Sequence, residues 1–156
     1  MNSDQAIDWL YQANRYFKAS EFLYDAQNDE DFLYPYLTLL SFSIECSLKC
    51  IAHRTVKNTN GKHNSVNLFN NLPIEIQKNI DEEYKIYSGG KNIIDDFELI
   101  KNYFVASRYE IVGMIADKKS ETLFSGTCFS LSEFLIEYIS NSEDYINQYI
   151  QDSIQS

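Results

Sequence analysis

Residues 32–54, FLYPYLTLLSFSIECSLKCIAHR, limit what this chain can fold into more than any other stretch. They are its longest run of strong helix signal, and they carry a charged pair, Glu45 and Lys49, in apolar surroundings. At about 100° per residue, Leu33, Leu37, Leu40, Ile44, Leu48 and Ile51 fall in one stripe. Leu39, Phe42, Cys46 and Cys50 fall on the opposite side. A helix apolar on two sides belongs between other helices rather than on a surface. Glu45 and Lys49 share the wedge between the stripes at i, i+4, acid first, which is the favourable order. They read either as a helix-surface pair or as a carboxylate near the bundle interior that needs a cation from another helix.

Only two Pro and five Gly interrupt 156 residues, which favours helices over a turn-rich β fold. The length suits one domain, 1–156, large enough for a real core. Apolar and charged fractions of 44% and 23% are ordinary and argue against disorder. The net charge of −10 makes the chain a poor candidate for a general nucleic-acid coat, because that affinity comes mostly from Lys and Arg on phosphates. A local basic pocket at a dimer seam stays open. No apolar run reaches about 18 residues, so no membrane span or membrane partner is expected. The start, MNSDQAIDW, has acids and no basic segment, unlike a signal peptide. Three Cys without disulfide spacing predict reduced thiols and a cytoplasmic location.

In chain order, Ser3 or Asp4 caps a first helix over about 4–27, with Leu10, Ala13, Phe17, Phe22 and Tyr24 as candidates for its buried side. The acids Asp29, Glu30 and Asp31, in a turn with Asn28, lie at the positive end of the second helix, and Pro35 fits its first turn. Residues 55–63, TVKNTNGKH, form a loop. With Arg54, Lys57, Lys62 and His63 this is the one sizeable basic patch. Ser65 caps a short helix, Pro73 opens another over 74–87, and Gly89 and Gly90 stop it. The next helix runs from 92 to at least 109, with Ile93, Phe97, Ile100, Phe104 and Ile111 on one face. Arg108 stands at the edge of that face, where burial requires a partner. Glu45 is the expected one; the alternative is an Arg108 that snorkels to the surface. Residues 113–126 are ambiguous, compatible with a helix end and a loop. The last helix, about 129–151, presents Leu131, Phe134, Leu135, Tyr138, Tyr145 and Tyr149, and the tail frays.

Cys46, Cys50 and His53 share a helical side and with His63 would number four metal ligands. Helical Cys-x3-Cys is not the knuckle spacing of structural zinc, and buried Cys as a small hydrophobe is commoner. No metal or other cofactor is expected. Cys128 reads as core. Asp95–Asp96 and Asp81-Glu82-Glu83 read as solvated helix faces or N-terminal charge. Phosphate-binding glycine loops, zincin motifs and nucleophile elbows are missing from the sequence.

Three segments together resemble the HEPN superfamily of small prokaryotic helical proteins. LLSFSIECSLKCIAHR (39–54) resembles its long core helix, with an apolar–Glu–x–x–Leu–Lys pattern. GKHNSVNLFNNLP (61–73) resembles its Gly–x–His turn followed by Leu–Phe–x–x–Leu–Pro. FVASRYEI (104–111), with Arg108 and Tyr109, resembles its aromatic–x–x–x–Arg–Tyr element. The order and spacing fit that layout over roughly residues 5–150. The resemblance implies an up-and-down bundle of four to five main helices with short extra helices, dimerising along a helix face.

Many members are metal-independent ribonucleases with an Arg-x4–6-His motif, and this chain departs from it. Eight residues separate Arg54 from His63, and no His follows Arg108. Metal-free RNA cleavage needs a base for the 2′-hydroxyl proton and a cation for the phosphate charge. Only a tertiary or cross-dimer pairing of His63 with Arg108 or Arg54 would restore both. The expectation is therefore a homodimeric, non-catalytic interaction or regulatory component of a defence or toxin–antitoxin type system, with a basic protein partner suited to the acidic surface. The alternatives are a ribonuclease with a rearranged site at His63 and Arg108, and a nucleotide or small-ligand binder using Arg54, Lys57, Lys62, His63, Arg108 and Tyr109.

Overall fold

The computed structural model describes the backbone of residues 3–25, 33–55, 64–109 and 118–156, and the side chains of these except at 3–4, 102–109 and 118–124. The described residues form seven helices and no strand: α1 Ser3–Asp25, α2 Leu33–Thr55, α3 Ser65–Asn70, α4 Ile74–Ser88, α5 Ile93–Tyr109, α6 Lys118–Asn141 and α7 Glu143–Gln155. Five longer helices with a short α3 and a C-terminal α7 make the all-α helical bundle that the sequence predicts. None of the described helices is long and apolar enough to cross a membrane.

α2 is the hub and touches α1, α3, α5, α6 and α7. Every residue from Ser43 to Ala52 is buried, so both apolar stripes find neighbours, as a two-sided pattern requires. Pro35 falls in its first turn, where a missing N–H costs nothing.

α1 lies antiparallel to α2, as the ring pairs Tyr24–Tyr36, Tyr16–Phe42 and Trp9–His53 show. Its inner edge is built from small residues seven apart, Ala6, Ala13 and Ser20, all buried. They bring the backbones close enough for Ser43 Oγ to donate to the Ala13 carbonyl at 2.9 Å. This inner edge corrects two expectations for α1. Phe22 stands about 200° round the helix from Ser20, and it points outward, 77% exposed. Tyr24 lays its ring against Tyr36, but its outer side is open.

The cap of α3 is Asn64 rather than Ser65. Its extended backbone lets the side-chain oxygen accept from Val66 N at 2.9 Å and Asn67 N at 3.4 Å. α4 starts after Pro73 and ends at Gly89, which takes φ 77° in the left-handed region while Gly90 N donates to the Lys85 carbonyl at 2.8 Å.

Asp95 and Asp96 stand in the first turn of α5, as the N-terminal-charge reading has it, and Asp81 and Asp96 also join α4 to α5. Asp81 accepts from Ile93 N, the start of α5, at 2.9 Å and pairs with Lys85 at 2.7 Å. Asp96 is buried and accepts a short hydrogen bond from the Tyr84 hydroxyl. Ile93, Phe97 and Ile100 form the buried face of α5 as predicted. Phe104, Arg108 and Ile111 lie outside the described side chains.

The C-terminal segment is two helices rather than one. α6 begins at Lys118, within the stretch expected as a helix end and loop, and stops at Asn141. The polar run Ser140–Asp144 breaks it, because Ser and Asn compete for the backbone. Glu143 and Asp144 then favour a fresh helix start at Ser142. The break changes the register, so Ile146 is fully buried and Tyr145 is exposed.

Candidate functional site

The last three turns of α2 hold the polar groups that matter. Glu45 and Lys49 are 5% and 7% exposed, with Lys49 Nζ 2.8 Å from Glu45 Oε1. The ammonium also stands over the Trp9 ring, 4.8 Å from its centroid. Trp9 in turn stacks on His53, with centroids 6.0 Å apart and planes at 27°. A buried ammonium needs such neighbours, an acid on one side and an aromatic face on the other. The pair is therefore interior rather than on the helix surface, and the cation at 2.8 Å from the acid is Lys49 of the same helix.

Arg54, one residue after His53, points to another side of α2. Its Nη2 donates to Asn147 Oδ1 on α7 at 2.8 Å. It lines a cleft of about 520 Å³ between α1, α2, α6 and α7, whose apolar walls include Ile7, Leu10, Ile139 and Ile150. Glu143 lines the cleft too, yet among the described residues no carboxylate lies at ion-pairing distance from Arg54. Lys49, Lys85 and Lys101, by contrast, each meet an acid. Arg54 thus offers an unneutralised guanidinium, made for planar oxyanions, at a half-buried position.

The thiols do not add nucleophiles. Burial pushes Cys50 up to about 11 against the lowering pull of Arg54. Burial and then Glu45 raise Cys46 to about 11, with Lys49 opposing. Burial alone raises Cys128 to about 12. At neutral pH all three are inert, hydrophobic thiols. Among the described residues no group of three His, Cys, Asp or Glu is placed to hold a metal.

Of the residues singled out from the sequence, Glu45 and Lys49 come together and Arg54 lines a cleft. Lys57, Lys62 and His63 lie outside the described residues. Arg108 and Tyr109 end α5, and their side chains are outside the description. The structure adds Trp9 and Asn147 to these residues. Trp9 is the only Trp of the chain, and a lone Trp facing a helix with a buried Lys is a usable signal. Asn147 has no local signal, being 93 residues from Arg54.

No protein family, curated protein or solved structure matches this chain. The segment 39–54 lies entirely within α2.

Proposed function

We propose that this chain is a HEPN-like helical subunit that works by binding protein rather than by catalysis, as an interaction or regulatory component of a prokaryotic defence or toxin–antitoxin type system. The system type rests on the sequence resemblance. The binding role rests on one observation, the outer face of α1. Ile7, Tyr11 and Phe22 are all at least half exposed. With exposed Arg15 and Lys18 they fall within about 80° of one another around the helix. An outer helix face is ordinarily polar, and apolar side chains grouped there mark an interaction site. Arg15 and Lys18 lessen the repulsion that a net charge of −10 imposes on two copies meeting there. A second copy is thus the first partner, by an isologous contact of α1 on α1.

Sedimentation of the full chain at micromolar concentration tests this. A dimer that becomes monomeric in Tyr11→Glu and Phe22→Glu, with unchanged circular dichroism, is the expected result. A strictly monomeric parent removes the dimer. RNA cleavage without added metal, lost in His63→Ala and Arg108→Ala, would replace the whole reading by a ribonuclease.

The acid-free Arg54 favours a second reading, a binder of a small anion such as a mononucleotide. Binding to the native state raises apparent stability. A mononucleotide that raises Tm in the parent but not in Arg54→Met would support that reading.

A further inference from the structure

A second cleft, of about 710 Å³, opens between α1, α2 and α6, away from Arg54. Its volume suits a small molecule, whose sites span roughly 300–1,000 Å³. Glu21 and Asp25 line it from α1, one turn apart, and neither forms an ion pair with a described residue. Tyr24, Tyr36 and Phe129 supply aromatic walls. Tyr24 and Tyr36 hold their ring centroids 5.8 Å apart with planes at 43°, and Phe129 is braced from behind by Phe17 at 5.3 Å.

Tyr36 adds an observation independent of the acids. It is only 2% exposed, and among the described residues its hydroxyl has no hydrogen-bond partner. Ser47 Oγ is the one described side-chain polar atom both sealed and unpartnered. The Tyr36 hydroxyl is therefore reachable, and the space Tyr36 lines is this cleft. A reachable hydroxyl without a described protein partner can bond a molecule that enters the cleft. Burial first, and the fields of neighbours including Glu21, hold this phenol above its ordinary range, so it stays neutral. A neutral phenol oxygen accepts from an N–H.

We propose that this cleft binds a small primary amine, its ammonium held by Glu21, Asp25 and the Tyr36 oxygen and its apolar body held by the aromatic walls. Each group has a distinct part. The carboxylates supply the charge and the rings attract a cation through their faces. The hydroxyl distinguishes an N–H-bearing ammonium from a quaternary one. The ligand is a free amine rather than the lysine of a protein partner, since the walls offer an aromatic body a place to stack. The inference is independent of the α1 interface and of the Arg54 cleft.

Calorimetric titration of the full chain at low salt tests it, with phenethylamine as probe and 2-phenylethanol as the neutral control. Nα-acetyl-lysine amide represents a peptide source. Phenethylamine should bind saturably and more tightly than either. Glu21→Gln and Tyr36→Phe should each weaken it by about tenfold, the loss of one charge-assisted or buried polar contact. Glu82→Gln, remote from the cleft, should leave affinity unchanged. Urea unfolding of each variant shows that the fold is retained. Absence of saturable binding, equal binding of the alcohol, preference for the lysine derivative, or full affinity in both cleft variants would each overturn the proposal.

Discussion

Ser132 Oγ on α6 donates to Ser43 Oγ on α2 at 2.7 Å. Ser43 passes the chain on to the Ala13 carbonyl of α1, so two hydroxyls tie three helices. Both serines are fully buried, where each unmade hydrogen bond carries a desolvation cost.

Replacing Ser43 by Ala leaves the Ser132 hydroxyl without this acceptor and should destabilise by about 1–3 kcal/mol. The double change Ser43→Ala, Ser132→Ala should cost less than the sum of the single changes. Ser43→Val should cost more than Ser43→Ala, because extra methyl groups must enter a close helix approach. Urea unfolding measures all four. Equal stability of the Val and Ala variants would mean that α1 and α2 are not packed this closely.

The buried pair on α2 makes a sharper prediction. Glu45→Ala strands the Lys49 ammonium between Trp9 and the core and should cost about 3–5 kcal/mol. Replacing Glu45 and Lys49 together by Leu should cost less than Glu45→Ala, since the Lys49 ammonium is then not left behind. Arg108 enters the same measurement. It belongs to α5, which packs on α2, and the sequence nominates it as a further partner of Glu45. Arg108→Ala combined with Glu45→Gln should show coupling above about 0.5 kcal/mol. Additive effects would remove Arg108 from the cluster.

How much was legible follows the range of the forces involved. α2 was legible because two apolar stripes on one helix have one solution, burial on both sides. Gly89 was legible because the left-handed backbone it adopts favours glycine. The cap at Asn64 was not, because Ser65 and Asn64 are both good caps and only the backbone decides between them. The break at Ser142 was hidden because Tyr145 and Tyr149 continue the apolar spacing of α6 across it. The sites were less legible than the fold. The Glu45–Lys49 spacing announces a pair but not its depth, which Trp9 on another helix helps to set. Arg54 reads as part of a basic loop until α7 and α1 close a cleft around it.

Tyr84 and Asp96 offer a test of buried against exposed hydrogen bonds on neighbouring residues. Tyr84→Phe deprives a buried carboxylate of its donor and should cost about 1–3 kcal/mol, toward the upper end because the acceptor is ionisable. Tyr87→Phe removes a hydrogen bond to Glu133 of 2.8 Å, but at an exposed site. It should cost no more than about 0.5 kcal/mol. Chemical denaturation of the two variants beside the parent gives the comparison. A Tyr84→Phe variant as stable as Tyr87→Phe would show that water already satisfies Asp96.

The final prediction concerns alkaline pH. Burial raises Cys46 and Cys50 to about 11 and Cys128 to about 12 from an ordinary 9.0. Burial likewise raises Tyr84 and Tyr138 above their ordinary 10.0, with the Asp96 hydrogen bond adding to the effect on Tyr84. A raised folded value means that the folded chain keeps protons the unfolded chain has lost. Stability from these groups is therefore fully present below the ordinary values and is lost as pH rises toward the folded ones. The urea midpoint should be lower at about pH 10.5 than at about pH 8, with the decline starting near the thiol range. Cys46→Ala and Cys50→Ala should each lessen the decline while lowering stability at pH 8 by leaving a small cavity. Thiol titration supplies the second readout. In the native chain at about pH 8 the three cysteines should resist a disulfide reagent, and in urea all three should react at once. Rapid native reaction of Cys50 would show that Arg54 outweighs burial and would make the Arg54 cleft a site with an activated thiol.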